Sequence, residues 1–515
     1  MSCKSPLKTR AEFNVQEDNK NGARGPVAPR DELLTWSSVQ RRFLPFCQKQ
    51  PAATWALASS PVLLATFLSV QHIKRRPKLE LRFDFKLSRR SSPLLALVAA
   101  KKYKYIIPGA NLLDEDGVLI QAHGGQIVRD GSKFYWFGED HSPGGTHFTG
   151  ISCYSSNDLY NWKNEGHAFN PVPGTQLASD QVGERPKVVY SPEIDKWVMY
   201  IHADNTSYGL HLQAMALADK VQGPYALQAI YNPLGQPSQD MGLFLDDDGS
   251  AYSLYGSGGN NDITILTPDY TNQSHIVFQF SGTNLEAPGM LHSKELYYHF
   301  FSEKTGYRPN DAQYFTASAI SGPWSARKQL TPSGKFTYES QNTFELKIAG
   351  TKNTTFIFMG DRWDQNELSD SRYMWLPLVL DEETGEAEMV WRDVWTVDVN
   401  TGEVDFPQGA GYEAQTGTLS GGASVIACSG CSQGLLVTNI TQSSSVTVSG
   451  VVGRNKPQWI ALYYVNPDDQ LINGLQRLVS VSVNGGHAGN PEAAHHCGER
   501  DDVDPVRGVS GKGCG

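Results

Sequence analysis

Long apolar runs, a metal-binding cysteine pattern and nucleotide or redox motifs are all missing from this 515-residue chain. The two apolar stretches near the N-terminus are ALASSPVLLATFLSV (56–70) and PLLALVAA (93–100). They are too short or too broken by serine to span a membrane, so membrane attachment is not expected. The second lies between Arg89-Arg90 and Lys101-Lys102, like a signal-peptide apolar region displaced from the chain start. Seven cysteines are scattered, and CSGC (428–431) has no second CxxC. That argues against zinc and leaves either a local ligand pair or a small disulfide. The acidic turns DLYNWKNEG (158–166) and DDDG (246–249) lack the ligand spacing of a calcium loop.

Positive charge is scarce outside the N-terminus. Residues 1–104 hold 20 Lys and Arg against 7 Asp and Glu, which leaves 24 against 47 for the rest. An acidic body disfavours nucleic acid and suits a neutral ligand. Apolar periodicity is scarce at both ends. Residues 1–104 read as a basic extension, disordered or a wrongly predicted gene start, and 487–515 as an irregular tail without strand candidates. Limited proteolysis is expected to strip both ends and 410–486, leaving an active fragment of about 105–410.

What the body does have is a repeat. Five hairpins carry a polar residue at the strand entrance: 123–140, 184–204, 240–258, 286–303 and 341–361. Alternating apolar strands joined by Asp, Gly and Ser turns are hairpin signals. Recurrence at about 45–65 residues implies radial repetition, one sheet per repeat. The outer phrases ALADKVQGPYAL (216–227) and ASAISGPWSARKQ (317–329) supply turns at Gly-Pro. The expected fold is all-β, with a five-bladed propeller over 105–409; a β-sandwich with similar turns is the alternative. From 410 the composition turns to small and hydroxyl residues, and SVTVSGVV (445–452) alternates strictly, which suits a β-sandwich.

Blade entrances in a propeller face the central axis, so Glu184, Asp240, Glu286 and Gln341 are expected to converge. Glu286 ends an apolar approach in LEAPGM, where lost solvation raises a carboxyl pKa and keeps the acid protonated. Asp240, one blade away, adds a neighbouring anion. A protonated acid beside a second carboxylate suits glycosidic bond cleavage. Acids that merely cap turns at strand starts are the structural alternative. Asn205-Thr-Ser, Asn272-Gln-Ser, Asn353-Thr-Thr and Asn439-Ile-Thr are N-glycosylation sequons, and with the acidic body they fit a secreted, extracellular protein.

Residues 105–406 resemble glycoside hydrolase family 43, a family of five-bladed propellers. Its general-base Asp usually follows a His at the first blade entrance, but the phrase here is HGGQI (123–127), with Gly124 in that place. YWFGED (135–140), ERPKV (184–188), LEAPG (285–289), SQN (340–342) and GDRW (360–363) resemble the exo-β-1,3-galactanase branch, which lacks that Asp. The resemblance implies Glu286 as acid, Asp240 as its pKa modulator, and Gln341 as an unusual base acting through its iminol tautomer. It also implies Glu184, Glu139, Tyr208, Asn260 and Thr305 as sugar contacts; for Tyr208 and Thr305 a packing or turn role is equally open. An inverting mechanism would then need Glu286 and Gln341 roughly 6.5–9.5 Å apart. The implied substrate is β-1,3-galactan and arabinogalactan side chains, cleaved by a monomer without a required cofactor. Arabinofuranosidase or xylosidase activity, or a non-catalytic galactan-binding propeller, are the alternatives. Residues 410–486 resemble the opening of carbohydrate-binding module family 35, through YEAQ (412–415) and LSGGA (419–423). That likeness implies an incomplete sandwich with a structural calcium near Glu413.

Overall fold

The computed structural model describes residues 78–89, 103–428, 431–441, 443–452, 460–463, 475–483, 486–489 and 508–511. Five four-stranded antiparallel sheets form from consecutive strands and match the five repeats read in the sequence. Their innermost strands are His123–Asp130, Val182–Ser191, Gln239–Leu245, Leu285–Ser293 and Gln341–Ala349. Each packs on the next, and the fifth packs on the first, which closes the ring. The expected five-bladed propeller is the observed fold.

Side chains between adjacent sheets make the core. Phe137, Val188 and Met199 fill the space between blades one and two. Tyr200, Met241 and Tyr255 fill that between two and three, and Leu254, Phe280 and Phe301 that between three and four. A larger cluster joins blades four, five and one. Within it the buried Trp136 ring stands edge-on to Trp162, Trp375 and Tyr373, at centroid distances of 5.3, 4.8 and 4.6 Å. Among the described residues each blade is built from consecutive strands, so blades five and one close by packing and by the contacts of the segments that flank the ring. Ile106 exchanges two backbone hydrogen bonds with Trp395, and the Gly109 N–H donates to the Tyr373 carbonyl. The Tyr373 hydroxyl donates to the Ile120 carbonyl at 2.9 Å and accepts the Ala122 N–H at 2.8 Å.

One device recurs at every blade entrance. The inner strand carries one residue too many against its neighbour, between His123 and Gln126, Glu184 and Lys187, Gln239 and Gly242, Glu286 and Gly289, and Asn342 and Phe344. Such β-bulges bend a strand and re-aim its side chains. In the first four blades the bulged residue is left-handed: Gly124, Arg185, Asp240 and Ala287, with φ of 58, 55, 46 and 53°. This corrects the expected equivalence. Glu184 and Glu286 share a position with His123 and Gln239, whereas Asp240 lies one residue further on, level with Gly124.

Two segments outside the expected boundaries supply strands. Lys78–Arg89, placed by the sequence reading in a disordered extension, pairs with both Ser445–Val452 and Leu475–Val483 in a five-stranded sheet. Gly486–Gly489 extends that sheet, and Gly508–Gly511, in the segment read as having no strand, pairs with Ile460–Tyr463. Cys428 and Cys431 form a disulfide, which resolves the open choice for CSGC. The apolar runs 56–70 and 93–100 lie outside the described residues. Among those described, no helix is long and apolar enough to cross a membrane.

Candidate active site

The bulges bring Glu286, Asp240 and Gln341 together at the axis. Asp240 Oδ2 accepts the Ala287 N–H at 3.2 Å, tying it to the strand that carries Glu286. Burial, then the Asp240 charge, pushes the Glu286 carboxyl up to about 8, against the cations of Arg185 and Lys304 and a hydrogen bond from Gln341. A carboxylic acid of that strength keeps its proton at neutral pH and can donate it to a departing oxygen.

Gln341 does not stand across a gap from Glu286. Its Nε2 donates to Glu286 Oε1 at 2.8 Å. The separation expected for an inverting pair is therefore not the arrangement found, and no water fits between the two groups. Gln341 Oε1 accepts from Arg185 Nη2 at 2.6 Å and from Trp363 Nε1 at 2.9 Å. Both are donors only, and an iminol hydroxyl at Oε1 would find no acceptor. In this arrangement Gln341 has the contacts of an ordinary amide, with Oε1 accepting and Nε2 donating to Glu286, and it is placed to orient the acid.

Glu139 and Glu184 reach the same centre by different routes. Glu139, at the end of Lys133–Glu139, accepts the Arg185 backbone N–H on Oε1 at 2.8 Å, and its Oε2 meets His141 Nε2 at 2.8 Å. It also fills the space above Gly124, where an added Cβ would come within 2.0 Å of Glu139 Oε1. A side chain at the family's usual base position would have to displace Glu139 from its bonds to the Arg185 N–H and His141. Glu184 accepts the Tyr208 hydroxyl at 2.5 Å, with His202 Nδ1 3.4 Å away. Burial disfavours charge on His202, yet Asp204 and Glu184 raise its pKa to about 9. Asp204 also accepts the backbone N–H groups of Asn205, Leu210 and His211, fixing the loop that presents Tyr208.

Two predicted contacts do other things. Thr305 donates to the Arg308 carbonyl and accepts from Asn310, closing an exposed turn. Asn260 accepts the Gly282 N–H in a neighbouring turn. Ser432 and Gln415 each donate to one carboxylate oxygen of Glu413.

The residue reading missed Arg185, Trp363, Tyr307, His141 and His202. Arg185 and Trp363 lay inside quoted motifs, but nothing in a one-dimensional pattern says that both side chains turn toward Gln341. Tyr307 comes from the turn that holds Thr305 and stands edge-on to Trp363 at 5.8 Å, forming one wall beside Tyr208. Below the site, burial and the Arg185 charge bring Lys187 down to about 7, and burial raises Glu345 to about 8 against the Lys187 charge.

A protonated acid beside a second carboxylate, on the axis of a five-bladed propeller, defines a glycoside hydrolase site. Residues 120–353 match the Glycosyl hydrolases family 43. An exo-β-1,3-galactanase from Phanerochaete chrysosporium, solved with galactose, is 37% identical and superposes with a TM-score of 0.72 over 79% of this chain and 93% of that one. A variant of that enzyme, solved with β-1,3-galactotriose, is 36% identical, with a TM-score of 0.70 over 80% and 90%. A xylan 1,3-β-xylosidase from a Vibrio species is 25% identical over 282 residues, 48% of this chain; the chain spans about half the length of that relative, 51%. The chain belongs to glycoside hydrolase family 43.

Proposed function

We propose that this protein is an exo-β-1,3-galactanase, releasing galactose units from β-1,3-galactan backbones such as those of arabinogalactan. Glu286 is the general acid, and Asp240 and Gln341 set its proton affinity and orientation. The observation that carries this reading is the Glu286 cluster in a site whose first blade has Glu139 packed over Gly124. That arrangement fits the galactanase pattern, with Gly124 and a bonded Glu139 where arabinofuranosidases and xylosidases are expected to carry the base carboxylate. Glu184 and Glu139 are suited to accept sugar hydroxyls, and Tyr208, Tyr307 and Trp363 to lie against a sugar ring. Gln341 is not assigned the water-activating role. A secreted setting suits such a substrate, and the exposed sequon asparagines Asn272, Asn353 and Asn439 are compatible with it. Digesting β-1,3-galactan and arabinoxylan side by side and identifying the released sugars tests the assignment. Galactose from the first and no pentose from the second is the expected result.

A second reading has its own observation. The direct Gln341–Glu286 contact leaves no water between the two side chains, as in a propeller that binds galactan without cleaving it. Galactan binding by both the wild type and Glu286→Gln, with no sugar released by either, would favour it.

A further inference from the structure

Arg185 bonds to Gln341, Asn342 and Glu139 and lies beside Asp240, yet it has no catalytic role assigned above. It sits on the bulge of the second blade with φ 55°, a conformation rare outside glycine, which turns its side chain inward. The guanidinium is buried. Nη1 donates to the Asn342 carbonyl at 2.7 Å, and Nη2 to Gln341 Oε1 at 2.6 Å, with Asp240 Oδ2 3.4 Å away. Its own backbone N–H holds Glu139. One residue of the second blade thus touches groups from blades one, three and five.

We infer that Arg185 is the positioning residue of this hydrolase: it pins the Gln341 amide so that Nε2 faces Glu286, and it tempers the acid that Gln341 orients. The inference rests on the proposed galactan hydrolysis. A guanidinium presents several N–H groups in a fixed plane, so it can hold the Asn342 carbonyl and the Gln341 carbonyl together. Those two acceptors lie on consecutive residues of one strand, and holding both fixes the Gln341 backbone and side chain at once. Trp363 Nε1 provides the second donor on Gln341 Oε1 but carries no charge. Four groups act on the Glu286 carboxyl: Asp240 from blade three raises its proton affinity, while Arg185 from blade two, Lys304 from its own blade and the Gln341 amide from blade five lower it. Around Arg185 itself stand Asp240, Glu139, Glu286 and Glu184, with Lys187 behind.

The test compares Arg185→Met, Arg185→Lys and Trp363→Phe with the wild type, measuring kcat and KM on β-1,3-galactooligosaccharides across pH, with Tm alongside. Arg185→Met should lower kcat by at least about 10-fold, as expected when an orienting contact is lost. KM should change far less, and the alkaline limb of the profile should move up by at least about half a pH unit, the direction of losing a nearby cation. Arg185→Lys keeps the charge but not the planar fork, so kcat should fall with the limb in place. Trp363→Phe should likewise lower kcat without moving the limb. A folded Arg185→Met with an unmoved limb overturns the inference. If that variant fails to fold, Arg185→Lys decides alone: wild-type kcat overturns the inference, and a lowered kcat with an unmoved limb supports it. An inactive wild type on galactan would instead sink the functional reading.

Discussion

Gln341 Nε2 lies 2.8 Å from Glu286 Oε1, so the amide touches the acid it was expected to face across a gap. This contact makes Gln341 a donor that opposes protonation of Glu286, whereas burial and Asp240 favour it. Gln341→Ala should therefore move the alkaline limb of the pH–activity profile upward and lower kcat modestly, by about 10-fold. A fall of several orders of magnitude with an unmoved limb would return Gln341 to the role of base. A pH–rate series on β-1,3-galactan distinguishes the two.

The wild-type profile follows from the acid itself. Glu286 has its carboxyl raised to about 8 from an ordinary 4.5. The protonated form does the work, so activity should hold through neutrality and decline above about pH 8. A limb near pH 5 would mean that Glu286 is ionised at neutrality and is not the acid.

Gly124 should not accept a side chain. Its φ is 58°, and a Cβ would meet Glu139 Oε1 at 2.0 Å. Gly124→Ala should cost about 1–3 kcal/mol and displace Glu139, lowering both Tm and activity. Gly124→Asp should fare no better. A Gly124→Asp protein with wild-type Tm and new activity on arabinoxylan would contradict the view that Glu139 has taken this space.

The fold was legible in the sequence because its period is coarse: five hairpins with alternating apolar residues survive any local ambiguity. The acid was legible too, since LEAPG places a carboxyl beside apolar residues at a strand entrance. The bulge was not. It shifts Asp240 one residue from Glu286 in strand register, and the phase change it makes in the alternation falls at the strand entrance, where too few residues precede it to be read. Nor was the fate of Lys78–Arg89. Leu79, Leu81, Phe83, Phe85 and Leu87 alternate strictly with charged or polar residues, a strand pattern, but it stands in an otherwise aperiodic basic stretch and its partners, Ser445–Val452 and Leu475–Val483, lie more than 350 residues away.

Ring closure gives a stability prediction. Tyr373→Phe leaves the buried Ala122 N–H without its acceptor and should cost about 1–3 kcal/mol, read as a lowered Tm. An unchanged Tm would show that the Tyr373 hydroxyl adds nothing to closure beyond the aromatic cluster and the Ile106–Trp395 and Gly109–Tyr373 backbone bonds.

Glu345 should make stability depend on pH. Its carboxyl, buried on the fifth blade's inner strand, has its pKa raised to about 8 from 4.5. The folded state therefore holds the proton more tightly than the unfolded chain. Stability should fall as pH rises from about 4.5 through about 8. Denaturant titrations of Glu345→Gln should show a flatter decline over that window, and an equal slope in both proteins would refute the assignment.

The most direct test of the central claim is sugar release by the whole protein and by Glu286→Gln. Wild type should free galactose from β-1,3-galactan, and Glu286→Gln should do so at least about 100-fold more slowly while still binding it. Pentose release from arabinoxylan with none from galactan, or equal turnover by the variant, would contradict it.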